Sequence, residues 1–450
     1  MTDIFTAPGF SARPKQSILT ASAGMKRRNA AEARFRVYGL IAIAISLVTL
    51  AIMLFTIFRD GVSAFHQATL TFPVELSAET LDPKGNRDRD EMAKVTTVGY
   101  QKVLAKAFLS ELAARGIVQD GVSDKDIAGL ISKDAAGQLR AEVLADPALL
   151  GTTITPDILA AGRVDGFLKG RVTFETAERD NQITPDQLRL VEKLRAAGIV
   201  QSSFNWTFFT NPDASDQRPE AAGIGVALLG SAYMMLMVLV MCVPVGVAAS
   251  VYLEEFAPKN RWTDAIEVNI SNLAAVPSIV FGILGLAVFI NFAGLPQSSS
   301  VVGALVISLM TLPTIIIATR AAIRAVPPSI RDAALGVGAS KMQTVFHHVL
   351  PLAMPGILTG TILGLASALG ETAPLLLIGM VAFVDNYPSP PPEGFLDPAT
   401  ALPVQVYSWA SRADPAFIER SNGAIIVLLV FLVAMNVGAI LLRRRFERRW

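Results

Sequence analysis

Long apolar runs separated by short polar segments dominate this chain. Residues 37–58 carry no charged side chain, enough helix to cross about 30 Å of hydrocarbon. Their length and basic flank read as a retained span rather than a cleaved signal peptide. Residues 222–252 make a longer uncharged run, with Pro244 and Gly246 as kink points. Residues 273–292, 301–319, 357–381 and 424–442 complete six predicted spans. Pro277 interrupts the third, and Asn269 and Asn272 blur its start.

Between the first two spans the pattern changes. Residues 96–117, 124–145, 156–169 and 185–197 carry apolar residues at three- and four-residue spacing, which predicts amphipathic helices. Thr155-Pro156-Asp157 and Thr184-Pro185-Asp186 have the form of helix starts: a capping hydroxyl, proline at the first helical position, an acid in the first turn. Residues 112–119 partly echo 194–201, each ending a helix at a glycine suited to the left-handed cap; two weak copies do not make a repeat. Residues 59–221 therefore read as a folded helical insert, and the proline-rich stretch 383–422 as a second loop on the same side.

Composition and charge agree with this division. The chain is 52% hydrophobic and 17% charged, against about 25% charged in soluble domains, and 42 of its 77 charged residues fall between Asp60 and Ala221. An ordinary soluble enzyme, a nucleic-acid binder and a disordered chain are excluded. A single cysteine, Cys242, lies in an apolar run, so disulfides and cysteine-based zinc sites are excluded too. Lys and Arg crowd residues 1–36 (Arg13, Lys15, Lys26, Arg27, Arg28, Arg34, Arg36), the segment after 442 (Arg443, Arg444, Arg445, Arg448, Arg449) and the loop after the fourth span (Arg320, Arg324, Arg331, Lys341). The positive-inside rule puts these on the cytoplasmic face and the 59–221 insert outside. The basic clusters also suit anionic lipid.

The cytoplasmic stretch 327–351 is the most informative. It reads as two short helices separated by Gly338. Ser329 with Asp332 and Ser340 with Gln343 fit capping boxes, and Pro351 is placed to stop the second helix. Such a pair suits docking on a soluble partner, and equally a loop that only joins two spans.

The spacing resembles the EAA loop of ABC-importer permeases, E-A-A-x3-G-x9-I-x-L-P. Asp332, Ala333 and Ala334 stand at E-A-A, Gly338 at the glycine, Leu350 and Pro351 at L-P; Asp332 replaces the usual glutamate and His348 the usual isoleucine. Gly370, Glu371, Thr372, Ala373, Pro374, Leu375 and Leu376 resemble the span-five motif of phosphate permeases of the PstA type, with supporting matches at 244–255 and 274–282. The resemblance covers residues 222–442. It implies an all-α integral membrane protein of six transmembrane helices, of the type I ABC-importer permease kind, in the bacterial inner membrane. It implies a cytoplasmic N-terminus (1–36), a first span (37–58), a periplasmic insert (59–221), a five-helix core (222–442) and a basic cytoplasmic tail (443–450). It further implies transport of phosphate, a coupling loop at 327–351, a second PstC-like permease, PstB-like ATPases and a PstS-like phosphate-binding protein. The insert is longer than the outer loop of typical relatives, and its role does not transfer.

Glu371 is the one charged side chain inside a predicted span, where an unpaired carboxylate costs several kcal/mol. It reads either as half of a charge pair beside the pathway, with Arg320 as first candidate, or as an interhelical hydrogen bond. Arg320 reads otherwise as a snorkelling cation. Thr311, Thr314, Thr319 and Thr372 are candidate donors to an oxyanion, against the usual bond of a membrane threonine to its own helix. His347 and His348 are adjacent, share no helix face and have no third ligand nearby, so they read as docking surface rather than a metal site. No catalytic constellation is present. Nor is there a G-x4-G-K-[ST] phosphate cradle, so ATP and Mg belong to a partner and this chain binds no cofactor of its own. A permease for molybdate or sulfate and a membrane receptor remain alternatives; a receptor needs an output domain, yet no cytoplasmic loop between spans exceeds about 40 residues.

Overall fold

The computed structural model describes residues 23–118, 120–380 and 383–446; Arg13, Lys15, Arg448 and Arg449 lie outside them. The chain divides into two units, residues 1–56 and 57–450. The described part of the first belongs to one helix, Ala23–Gly61, with exposed Leu40, Ile41, Met53 and Ile43 spread around its circumference. An apolar helix without a polar face is built for lipid or for other helices.

Among the described residues, five helices are long and apolar enough to cross a membrane: Gly24–Phe65, Gly225–Phe256, Ser300–Arg324, Lys341–Leu369 and Pro415–Leu441. A bent pair, Arg261–Ala274 and Ser278–Phe292, makes a sixth if counted as one span. The bend is 100° and falls where Pro277 stands. Proline disfavours helix in the residue before it and cannot donate to the preceding turn; here it caps the second half in an extended conformation. The predicted third span is therefore half of a longer, broken element.

Spans four and five (Ser300–Arg324, Lys341–Leu369) run against each other through small residues. A methyl group added at Gly356 would sit 2.6 Å from the Ala322 side chain, and one at Gly360 2.2 Å from that of Ala318. This is the close backbone approach that replaces hydrophobic driving force inside a bilayer. Span five departs from the predicted 357–381 at both ends. Pro351 does not stop the second loop helix: Lys341–Thr344 passes through a widened turn, Val345–Val349, into Leu350–Leu369. In that turn Leu350 N–H reaches back five residues to Val345, so the helix accommodates a proline that cannot donate. At the other end the helix stops at Leu369, and a short helix, Ala373–Leu377, follows a break at Gly370, Glu371 and Thr372.

The insert is mainly helical, but it also holds strands that the apolar spacing did not predict: β1 (His66–Thr71), β2 (Val74–Glu75), β3 (Thr153–Ile154), β4 (Asp157–Leu159) and β5 (Val200–Phe204). They form an antiparallel sheet ordered β4-β1-β5 and a β2-β3 pair. Residues 67–70 of β1 are buried on both faces, so the alternation that marks a half-buried strand is missing. Thr155-Pro156-Asp157 is accordingly not a helix start; Asp157 opens β4 and accepts a bond from Thr71 Oγ1 at 3.0 Å. The 124–145 helix is two helices, Asp124–Ala128 and Ala135–Ala145. The Thr184 start forms as expected, with a reciprocal Thr184–Gln187 capping box, and Gly116 and Gly198 take the positive φ of left-handed caps. The 383–422 stretch includes a helix, Leu402–Ala410, and the last span begins early, at Pro415.

Charged groups are buried where the insert meets the last span. Glu220 accepts from Ser132 Oγ at 2.5 Å, and burial, with the nearby charge of Asp134, pushes its carboxyl above the usual range. A carboxyl raised on folding stabilises the native state below its unfolded pKa, and that contribution fades as pH rises through the raised value. Heating the purified full-length chain across a pH series should therefore show its unfolding temperature falling more steeply above the ordinary carboxylate range than that of Glu220→Gln. Parallel curves would mean that Glu220 is not the group responsible.

Candidate functional site

The loop at 327–351 begins with Pro327 as N-cap and Pro328 at the first helical position of Pro328–Gly336. Ser329, expected as the cap, thus falls at the second helical position, and the predicted Ser329–Asp332 capping box does not form; no side chain caps this helix. Arg331 fixes the loop instead. Its Nε and Nη2 donate to Glu255 Oε1 at 3.0 and 2.7 Å, while Nη1 and Nη2 donate to the carbonyls of Val326 and Ile323. One guanidinium ties the loop to span two (Gly225–Phe256) and satisfies open carbonyls near the end of span four.

Gly338 (φ +91°) ends the first helix, with its N–H on Leu335 and that of Ala339 on Ala334. Ser340 starts the second with the expected box: Gln343 N–H donates to Ser340 Oγ at 3.2 Å, and Ser340 N–H to Gln343 Oε1 at 2.9 Å. Ala334 is buried, Leu350 half-buried, and Asp332, Ala333 and Pro351 exposed. Leu335, Val337, Met342 and Phe346 are 48, 86, 57 and 49% exposed. His347 and His348 are exposed as well, and His347 Nδ1 lies 3.2 Å from the Gln343 carbonyl. A rigid loop with four exposed large apolar side chains is shaped to be covered.

Beside it lies a charge network. Arg320 Nη2 is 2.6 Å from Glu267 Oε1, its Nε is 3.4 Å from Glu254 Oε2, and Arg324 Nε donates to Glu254 Oε1 at 2.7 Å. The structure does not bring Arg320 to Glu371. Gly356 faces Ala322, Gly360 faces Ala318 and Gly364 faces Thr311 and Ile315, so Arg320 is level with about residue 358 of span five. Glu371 lies about 13 residues further on, roughly 20 Å along the axis. It sits half-buried in the break after Leu369, and no described residue pairs with its carboxylate. Thr372 caps the short helix through its backbone only. Thr311 bonds to its own helix at Ile307, the ordinary habit of a membrane threonine; Thr319 Oγ1 is buried without a partner. Glu254, Glu255 and Glu267 are the residues sequence reasoning missed. Two acids ending a span on the arginine-rich face were the available signal.

Comparisons with known proteins match two separate parts of the chain. Residues 22–178 match a family described as a domain of unknown function (DUF3333), and residues 243–450 match the binding-protein-dependent transport system inner membrane component. The chain is 32% identical over 250 residues to the probable ABC transporter permease protein YqgI of Bacillus subtilis (strain 168), covering 54% of this chain and 83% of that protein. It is 31% identical over 229 residues to the phosphate transport system permease protein PstA 1 of Mycobacterium tuberculosis (strain CDC 1551 / Oshkosh), covering 51 and 73%. It is also 31% identical over 228 residues to the phosphate transport system permease protein PstA of Xylella fastidiosa (strain Temecula1 / ATCC 700964), covering 50 and 77%. Among solved structures, the inward-facing MetNI methionine ABC transporter aligns with 16% identity and a TM-score of 0.38, over 50% of this chain and 95% of that one.

Proposed function

The chain belongs to the ABC transporter permeases of the phosphate-transport type, and from that premise we propose that it forms half of the pathway of an ATP-driven phosphate importer and does no covalent chemistry itself. The observation that carries this reading is the loop at 327–351: a glycine-broken helix pair, anchored by Arg331 on Glu255 and presenting Leu335, Val337, Met342 and Phe346. An ATPase subunit would cover that face. ATP, held with Mg by the ATPase, closes its dimer; the loop moves; and because its second helix runs unbroken into span five, displacement at the loop is transmitted directly into the core.

The remaining partners follow the same reading: a second PstC-like permease, PstB-like ATPases and a PstS-like binding protein. Lys/Arg placement favours cytoplasmic termini in the bacterial inner membrane and a periplasmic insert. Co-purification of the neighbouring subunits followed by an ATPase assay tests the proposal. Stimulation by phosphate with its binding protein supports it; stimulation by molybdate or sulfate instead assigns another oxyanion, and no associated ATPase overturns the importer reading.

Glu371 and Thr372 are proposed to line the pathway at the break in span five, where irregular backbone is tolerated only against protein or a water-filled cavity. Glu371→Gln is expected to cut phosphate uptake while assembly stays normal. Arg320 acts separately, holding Glu254 and Glu267 together. Sites about 20 Å apart add within roughly 0.5 kcal/mol, so the fold-reductions in uptake rate of Arg320→Gln and Glu371→Gln should multiply in the double variant. Recovery of the double variant beyond either single one would restore the direct pair.

A further inference from the structure

The insert carries an aromatic ladder at its junction with the spans. Phe65 stacks on Phe209 (5.8 Å, 9°), Phe209 on Phe204 (6.2 Å, 11°), and Phe204 meets Trp206 edge-on at 4.8 Å. His66 adds a fifth ring beside Phe204 at 6.5 Å. A stack of this kind is ordinarily found inside a core, yet Trp206 is 71% and Phe204 46% exposed, and Val62, in the same turn as Phe65, 46%. Nothing among the described residues accepts a bond from the Trp206 indole N–H.

The height of the ladder follows from its neighbours. Phe65 ends the short turn Val62–Phe65 after the first helix, and Phe204 ends β5. Gly61 packs on Asn422 and Ile426, and Ala64 on Gly423. In the last span, residues 424–442 are uncharged, about 28 Å of helix, the thickness of a hydrocarbon core. The chain beside Gly423 therefore stands at the edge of that core, in the zone where tryptophan places its ring among lipid and its N–H among headgroups.

We propose that Phe65, Phe209, Phe204 and Trp206 form a foot by which the insert rests on the lipid headgroup layer. The foot limits tilting of the insert, which is also joined to the spans by its chain connections and by contacts with the last span. This placement rests on the length of span six and not on the phosphate reading.

The test uses the full chain in its assembled complex, reconstituted in phosphatidylethanolamine–phosphatidylglycerol vesicles. A bimane probe is attached through Trp206→Cys or, to leave all four rings intact, through Val62→Cys, each with Cys242→Ala. Thr155→Cys serves as the reference: it is exposed and borders the far end of β1, about 17 Å from His66. Headgroup-proximal doxyl lipid is expected to quench the Trp206 and Val62 probes at least roughly threefold more than the Thr155 probe, and aqueous iodide the reverse. Equal lipid quenching at all three positions overturns the proposal. So does protection of the foot from both quenchers together with crosslinking to a neighbouring subunit, which would assign the ladder to a protein interface.

Discussion

Gly338→Val is expected to abolish transport by releasing the ATPase, with membrane insertion unchanged. Gly338 has φ +91°, and a methyl group added there meets nothing within 4 Å. The cost of a side chain is thus backbone strain alone: about 1–2 kcal/mol for an ordinary residue and more for a β-branched one. That strain is relieved by unwinding the bond pair Gly338 N–H to Leu335 and Ala339 N–H to Ala334, or by continuing the first helix through the break. Either displaces Ser340 and its capping box relative to Arg331 and Glu255, and the exposed set Leu335, Val337, Met342 and Phe346 no longer forms one surface. Gly338→Ala should lose part of the association and Gly338→Val nearly all of it. Normal co-purification of the ATPase with the valine variant would remove the docking role from this loop.

The second loop helix was legible because its signals are local. Ser340 and Gln343 are three residues apart, and Gly338 stands between two capped segments. The spans were legible for a related reason: a membrane helix satisfies its own backbone, so length and apolarity suffice. What escaped was long-range. Arg320 finds Glu254 and Glu267, acids on two other elements, and no spacing rule connects them. Arg320 is the first candidate for Glu371 because it is the cation at the end of a neighbouring span, yet the Gly356–Ala322 and Gly360–Ala318 contacts separate the two along the helix axis.

Proline was misread in one place and read well in another. Pro277 breaks its element: Val276 N–H turns to the Leu273 carbonyl that an N–H at 277 would have bonded, and the helix restarts after the bend. Pro351 does not, because the turn before it widens and Leu350 N–H bonds five residues back. The strands of the insert were hidden by burial on both sides of β1 and by the shortness of its partners. Ser329 misled through register: Pro327 had already taken the cap position.

Glu419→Ala should produce the largest loss of stability, about 3–5 kcal/mol, the usual cost of leaving a buried charge unpaired. Glu419 lies in the first turns of the last span and is 7% exposed. Its oxygens meet Lys169 Nζ and Arg171 Nε, each at 2.8 Å. Asp165 meets the same two cations at 2.9 Å and also accepts a bond from Ala68 N–H, so without Glu419 its single negative charge is left to balance both. The neighbouring Arg420 is buried as well, with its guanidinium on the carbonyls of Ala222 and Glu220. Removing Glu419 therefore leaves an excess of positive charge in a closed space between the insert and span six. Thermal unfolding of the detergent-solubilised chain should start at lower temperature, and limited proteolysis should cut the insert first, while the ATPase still co-purifies because the 327–351 loop is untouched. Lys169→Met combined with Glu419→Leu removes one charge of each sign, keeps Arg171 on Asp165, and should recover much of the loss. An unchanged unfolding temperature in Glu419→Ala would mean that water reaches Lys169 and Arg171 readily, and that the insert is held to span six by its apolar contacts alone.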